Sequence, residues 1–298
     1  MNSIDGTKGP PGGSGAAQWA ASIARRWPIT TFFLLTLAVS WPFGLLPPGP
    51  SLAAIAAAAL IDGRGTVGAL LRRATIWRVG VGWYVVALLG PALLFAVAVG
   101  FNVVTGARLG PTDQLIDWSE LGRLFLVQVV GVFAGAWEEL GWRGFALPRL
   151  LKRYSPLWAS LGVGGLWAAW HIPLFMSGDV PWADAAFLVM ASVLFTAVFV
   201  RTKQSVLIAF LMHASLNATG GIAIPLFEAG DRLQMYWSMT AVTGVVAIAL
   251  VALNRRWWLG KPEAADGLPD PALPADSARG LGDHPGGADS RVRTEPSH

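Results

Sequence analysis

Apolar residues fall in long blocks along this chain, separated by short polar or basic stretches. Eight blocks stand out, at roughly 29–46, 51–62, 81–103, 121–150, 157–177, 184–200, 205–223 and 236–254. Most approach the roughly 20 residues that a helix needs to cross a hydrocarbon core about 30 Å thick. The pattern predicts an all-α, polytopic membrane protein of about eight transmembrane helices. The second block is the weakest of the eight by length, being short and alanine-rich.

Charge decides whether that block counts. With both termini cytosolic, sixteen Lys and Arg residues fall on inner segments, against only Arg108, Arg123 and Arg232 on outer segments and flanks. Asp113, Asp117, Glu120, Asp179, Asp184, Glu228 and Asp231 also fall on the outer side. This is a strong positive-inside asymmetry, and omitting the second block would invert every later loop and destroy it. Eight spans with both ends cytosolic is therefore the expected topology. No internal repeat is visible, which weighs against an inverted-repeat transporter.

The ends differ from the middle. Residues 1–27 and 257–298 are expected to form disordered tails, because their Gly-, Pro- and Asp-rich stretches bury too little to offset the entropy of ordering. Residues 28–256 form the expected membrane domain, with its motif core at 134–220. The N-terminal stretch does not read as a cleavable signal peptide.

Composition agrees and narrows the chemistry. Of 298 residues, 54% are hydrophobic and 13% charged, with mean hydropathy +0.51. An ordinary soluble domain carries about 25% charged residues, so both a cytosolic enzyme and a disordered chain are excluded. The absence of cysteine removes disulfides, thiolate zinc sites and cysteine nucleophiles together. The net charge of +4 reads as topology rather than as a nucleic-acid patch, and no nucleic-acid partner is expected. Several of the 15 tryptophans, among them Trp27, Trp77, Trp83, Trp118, Trp182, Trp257 and Trp258, sit where blocks begin or end, as interface anchors do. The Ala/Gly-rich composition and charge-biased loops suggest a multi-pass protein of the bacterial inner or plasma membrane.

Ionisable groups inside apolar spans are expensive and mark function by default. Three spans carry them. The fourth holds Trp137-Glu138-Glu139-Leu140-Gly141-Trp142-Arg143, the fifth Trp167 through His171 with Pro173 beyond, and the seventh His213 through Asn217. Glu139 and Arg143, four apart on one helical face, are placed to pair and so to ease each other's burial. Glu138 points about 100° away and lacks that cation, which leaves it as the candidate general base. Trp167 with His171, and His213 with Asn217, again share faces at i,i+4. Each is also compatible with plain packing polarity between helices. Depth adds a condition: for Glu138 and His171 to meet near mid-membrane, the fourth helix must continue past Glu139 to about Leu150, with Arg143 buried against Glu139.

The ordered set Glu138-Glu139-x-x-x-Arg143, Trp167-x-x-x-His171 and His213-x-x-x-Asn217 resembles the CPBP family. This is the type II CAAX prenyl endopeptidase and bacteriocin-processing, abortive-infection-like group of intramembrane proteases. The likeness covers roughly 29–254, with one departure: tryptophan stands at 167 where phenylalanine is usual. The resemblance implies peptide hydrolysis in the membrane, acting on a hydrophobic or lipidated peptide or membrane-protein substrate. Glu138 and His171 would hold the attacking water, His213 and Asn217 would support the oxyanion, and Glu139 with Arg143 would brace the site. Whether a divalent metal takes part stays open at this point. Glu138, His171 and His213 are compatible with Zn²⁺ and an open water position, but there is no His-Glu-x-x-His motif. Two other readings of the same polarity are a non-catalytic scaffold or bacteriocin-immunity protein of the same fold, and a proton-relaying transporter.

Overall fold

We describe the chain from a computed structural model, which covers residues 13–110, 118–131 and 135–260. The described residues are helical throughout, apart from short connections and one antiparallel bridge between Leu109 and Phe227. The protein is an all-α, integral membrane protein. Four segments are long and apolar enough to cross a bilayer: Val81–Val104, Ala183–Arg201, Val206–Ala223 and Ala229–Leu253. Shorter apolar helices, Pro28–Phe43 and Gly49–Ile61, accompany them. Among the described residues the eight apolar blocks are largely helical, though not as eight full-length spans.

In chain order the helices are α1 (Gly13–Arg26), α2 (Pro28–Ser40), α3 (Gly49–Asp62), α4 (Arg64–Ala74), α5 (Val81–Val104), α6 (Trp118–Val130), α7 (Leu147–Leu151), α8 (Pro156–Trp170), α9 (Ile172–Ser177), α10 (Ala183–Arg201), α11 (Val206–Ala223), α12 (Arg232–Leu253) and α13 (Arg255–Leu259). Local chemistry sets several boundaries. Pro28 and Pro156 open α2 and α8, where a missing N–H costs nothing. Ser205 caps α11: its Oγ accepts the Ile208 N–H at 3.2 Å and donates to the Ile76 carbonyl at 2.6 Å.

Two expectations need correction. The tail foreseen over residues 1–27 is helical at Gly13–Arg26, ending on Arg25 and Arg26 and packed on α2 and α3; residues 1–12 lie outside the described residues. An amphipathic helix set against neighbours gains the burial that its sparse apolar content did not promise. At the other end, the tail foreseen from 257 begins within α13, where Trp258 is fully buried; 261–298 lie outside the described residues.

The second correction concerns the fourth block. It is not one unbroken helix. Helix α6 ends at Val130, residues 132–134 are outside the described set, and the chain resumes as a tight 3₁₀ turn at Gly135–Glu138. A widened π-helical stretch, Leu140–Ala146, then leads into α7. Glycine at 131, 135, 141 and 144 weakens the regular helix, and packing selects the wider turn. A Cβ at Gly141 would lie 2.5 Å from the Pro50 carbonyl oxygen, so the segment comes backbone to backbone against the start of α3. Ala53, Ala54, Ala57 and Ala58 are fully buried on α3, whose small side chains permit that approach. The short alanine-rich block is thus an interior element at the foot of the site.

Around it, α10 packs on α8 and α12, and α11 on α5 and α6. The apolar windows of α10 and α11 are 72% and 61% buried, against 22% for α5, so α10 and α11 form the inside of the bundle and α5 its lipid-facing wall.

Candidate active site

Five of the seven residues singled out in the sequence line one cavity of about 270 Å³: Glu138, Trp167, His171, His213 and Asn217. Its remaining walls are mostly apolar, from the turn after α2 (Gly44, Leu45, Pro47) and from α8–α11. Glu139 and Arg143 are fully buried and do not line the cavity; they stand behind it.

Glu138 ends the 3₁₀ turn, and its Oε2 accepts two indole N–H donors, Trp142 at 3.0 Å and Trp167 at 2.8 Å. The wide turn brings Trp142, four residues on, against its own carboxylate. There Trp142 also packs edge-on against Phe32 and Trp170, at 5.5 and 6.1 Å between ring centroids. Glu138 is therefore held by neutral donors on one oxygen only. The tryptophan at 167 adds a donor that the family's usual phenylalanine lacks, so this departure does more than replace one aromatic ring by another.

Glu139 faces a guanidinium and an imidazole instead. Its Oε1 accepts Arg143 Nη1 at 2.8 Å and the Nδ1 of His213 at 2.8 Å. The i,i+4 pair expected from sequence is thus formed. The Arg143 guanidinium also lies over the Trp167 and Phe195 rings, 4.6 and 4.2 Å from their centroids, while its Nε and Nη2 have no hydrogen-bond partner. In a dry interior, cation–π contact takes over much of what hydration would supply.

His171 follows the last residue of α8, and the helix breaks there because Pro173 has no N–H to continue the ladder. Its Nδ1 lies 2.9 Å from the Trp167 carbonyl oxygen. A carbonyl only accepts, so Nδ1 carries the proton and Nε2 is left as an acceptor. Another carbonyl at the break, that of Trp170, accepts the Trp41 indole N–H at 3.1 Å, which ties the turn after α2 to the site. On α11, Asn217 donates to Gln128 Oε1 on α6 at 3.2 Å.

Residues not foreseen as part of the site are Trp142, Gln128, Trp170, the Gly44–Leu45 turn and Asp184. Trp142 had a readable signal, since it stands four residues after Glu138 as Arg143 does after Glu139. Asp184 read as an outer-loop charge, yet it lines the cavity. Gly44 and Leu45 both take positive φ, 68° and 76°, which no periodicity signals.

As a metal set, Glu138, His171 and His213 do not fit as they stand. They share the cavity wall, but among the described residues no three His, Asp or Glu side chains come close enough together to hold an ion. His213 moreover spends Nδ1 on Glu139.

Comparison with known proteins bears on this all-α membrane bundle and its cavity of Glu138, His171 and His213. Residues 119–219 match the family model of the Rce1-like type II CAAX prenyl endopeptidases. The chain is also 30% identical, over 106 residues, to a protein of Methanococcus maripaludis named CAAX prenyl protease 2. That match covers 32% of this chain and 38% of the relative, so the chain matches well under half of the relative's length. All seven motif residues fall inside the matched 119–219 segment. The relative being archaeal, it does not speak for the bacterial membrane suggested by composition.

Proposed function

We propose that this protein is an intramembrane endopeptidase that hydrolyses a peptide bond of a hydrophobic or lipidated substrate entering the cavity from the bilayer. The observation that carries this reading is the pairing of two acceptors on one cavity: Glu138, engaged through a single oxygen, and His171, whose proton is fixed on Nδ1. A water between Glu138 Oε1 and His171 Nε2 gives a hydrogen to each acceptor, which leaves a lone pair for the substrate carbonyl.

The steps balance without an added reagent. As the water oxygen bonds to the carbonyl carbon, Glu138 takes its proton. The developing oxyanion meets donors from α11: the amide hydrogen that Asn217 does not give to Gln128, and Nε2–H of His213 when its ring is fully protonated. Glu139 holds the opposite side of that ring in place. When the carbon–nitrogen bond breaks, Glu138 returns the proton to the leaving amine. Donors set in advance in a dry cavity are worth far more than in water. Arg143 holds Glu139, so both act through His213 as positioning residues.

The test is cleavage of hydrophobic reporter peptides by purified protein in nanodiscs, wild type beside Glu138→Gln. Loss of a positioned base lowers the rate by about 10²–10⁴-fold. Equal cleavage by both would defeat the assignment of Glu138. A chelator arm asks separately about zinc: rates that survive chelation leave the glutamate–histidine mechanism sufficient, and rates that collapse would overturn it.

A further inference from the structure

Asp184 is the charged residue of the cavity that the proposed chemistry leaves unused. It sits in the first turn of α10, lines the same 270 Å³ space as Glu138 and His171, and is only partly exposed. Among the described residues its side chain has no hydrogen-bond donor and no ion-pair partner. The start of α10 eases a negative charge there but gives it nothing to bind.

The rest of the wall makes this carboxylate selective. Besides the histidines, the ionisable residues lining the cavity are Glu138 and Asp184, both acidic. No Lys or Arg is among the lining residues, and Arg143, behind the wall, is fully buried and engaged with Glu139. A substrate's terminal carboxylate brought into this space therefore meets two carboxylates and no accessible Lys or Arg. A basic group meets the reverse, in a setting of low dielectric where charge selection is strong.

We propose that Asp184 is a specificity-determining residue that pairs with a basic side chain of the substrate, lysine or arginine, close to the scissile bond. The proposal rests on the cavity being a peptide-binding site, as the peptidase reading requires, and names the kind of peptide it takes. The long aliphatic stem of such a residue suits the apolar walls while its charged end reaches Asp184.

Binding separates this inference from the peptidase reading. Hydrophobic peptides, position-scanned with Lys, Gln or Glu, are titrated onto the Glu138→Gln protein in nanodiscs, which keeps bound peptide intact. The expected result is one position at which Lys binds about tenfold or more tighter than Gln, with Glu weakest. Adding Asp184→Asn should collapse the Lys/Gln ratio to about one, and Asp184→Glu should largely restore it. A ratio near one in the parent protein, a ratio that Asp184→Asn leaves unchanged, or no binding of any Lys peptide overturns the proposal. Parallel cleavage by the wild type distinguishes the failures. Cleavage without Lys preference defeats Asp184 and leaves the peptidase, and Lys-selective binding without cleavage does the opposite.

Discussion

Glu138 and Glu139 are neighbours in sequence but occupy two different regions. Around Glu138 the donors are indoles, the second carboxylate oxygen has no partner among the described residues, and a cavity opens in front. Around Glu139 the partners are Arg143 and His213, aromatic rings enclose the guanidinium, the group does not line the Glu138 cavity, and its Oε2 is buried without a hydrogen-bond partner among the described residues. Neutral donors orient a carboxylate without neutralising its charge; a guanidinium neutralises it. The same side chain is thereby made reactive in one position and structural in the next.

The contrast breaks most sharply at the free oxygen. Glu138→Gln keeps a carbonyl for the indoles to bond, so the protein should still fold by thermal melting in nanodiscs, while peptide cleavage falls by about 10²–10⁴-fold. Next comes the other side. Arg143→Leu leaves Glu139 buried without its guanidinium, and loss of about 3–5 kcal/mol of stability is expected, read as a lower unfolding midpoint. A midpoint unchanged by Arg143→Leu would mean that Glu139 is not held as the structure has it.

Trp142→Phe sharpens the comparison, because it removes one donor from Glu138 and touches nothing at Glu139. About tenfold slower cleavage with near wild-type stability is expected. Trp167→Phe, by contrast, touches both regions, since this indole donates to Glu138 while its ring lies under Arg143. Activity and melting midpoint should fall together, and a change in only one of them would uncouple the two regions. The smallest effect belongs far from both: Leu93→Val on the exposed face of α5 should alter stability by no more than about 0.5 kcal/mol.

Much of this division was legible in the sequence. The i,i+4 spacing of Glu139 and Arg143 implies their pair, and it leaves Glu138 without a cation, because local geometry in a helix carries that far. Pro173 likewise announces the break beside His171. The path of the fourth block was not legible. Its apolar run looks continuous, yet packing of Gly141 on Pro50 decides the turn, and that contact spans elements whose approach no local pattern encodes. The depth argument asked that the fourth helix run on from Glu138 to about Leu150, and helical turns do continue from Gly135 to Leu151, though 3₁₀ and π turns replace regular α-helix, with Glu138 and His171 on one cavity. The place of Asp184 on the cavity was missed for a related reason. Charge bias assigns a side of the membrane, not the direction in which a side chain at a helix start will face.

The close backbone approach at Gly141 has a counterpart at Gly164, where a Cβ would lie 2.8 Å from Val189 Cα. Neither residue has a side chain with which to do chemistry. Yet in a survey of every single substitution both should tolerate as little change as Glu138, one because it seats the wide turn and the other because it joins α8 to α10. Mutational intolerance in this protein therefore marks two kinds of position, and an evolutionary record of these chains would mix the geometry of assembly with the residues that react.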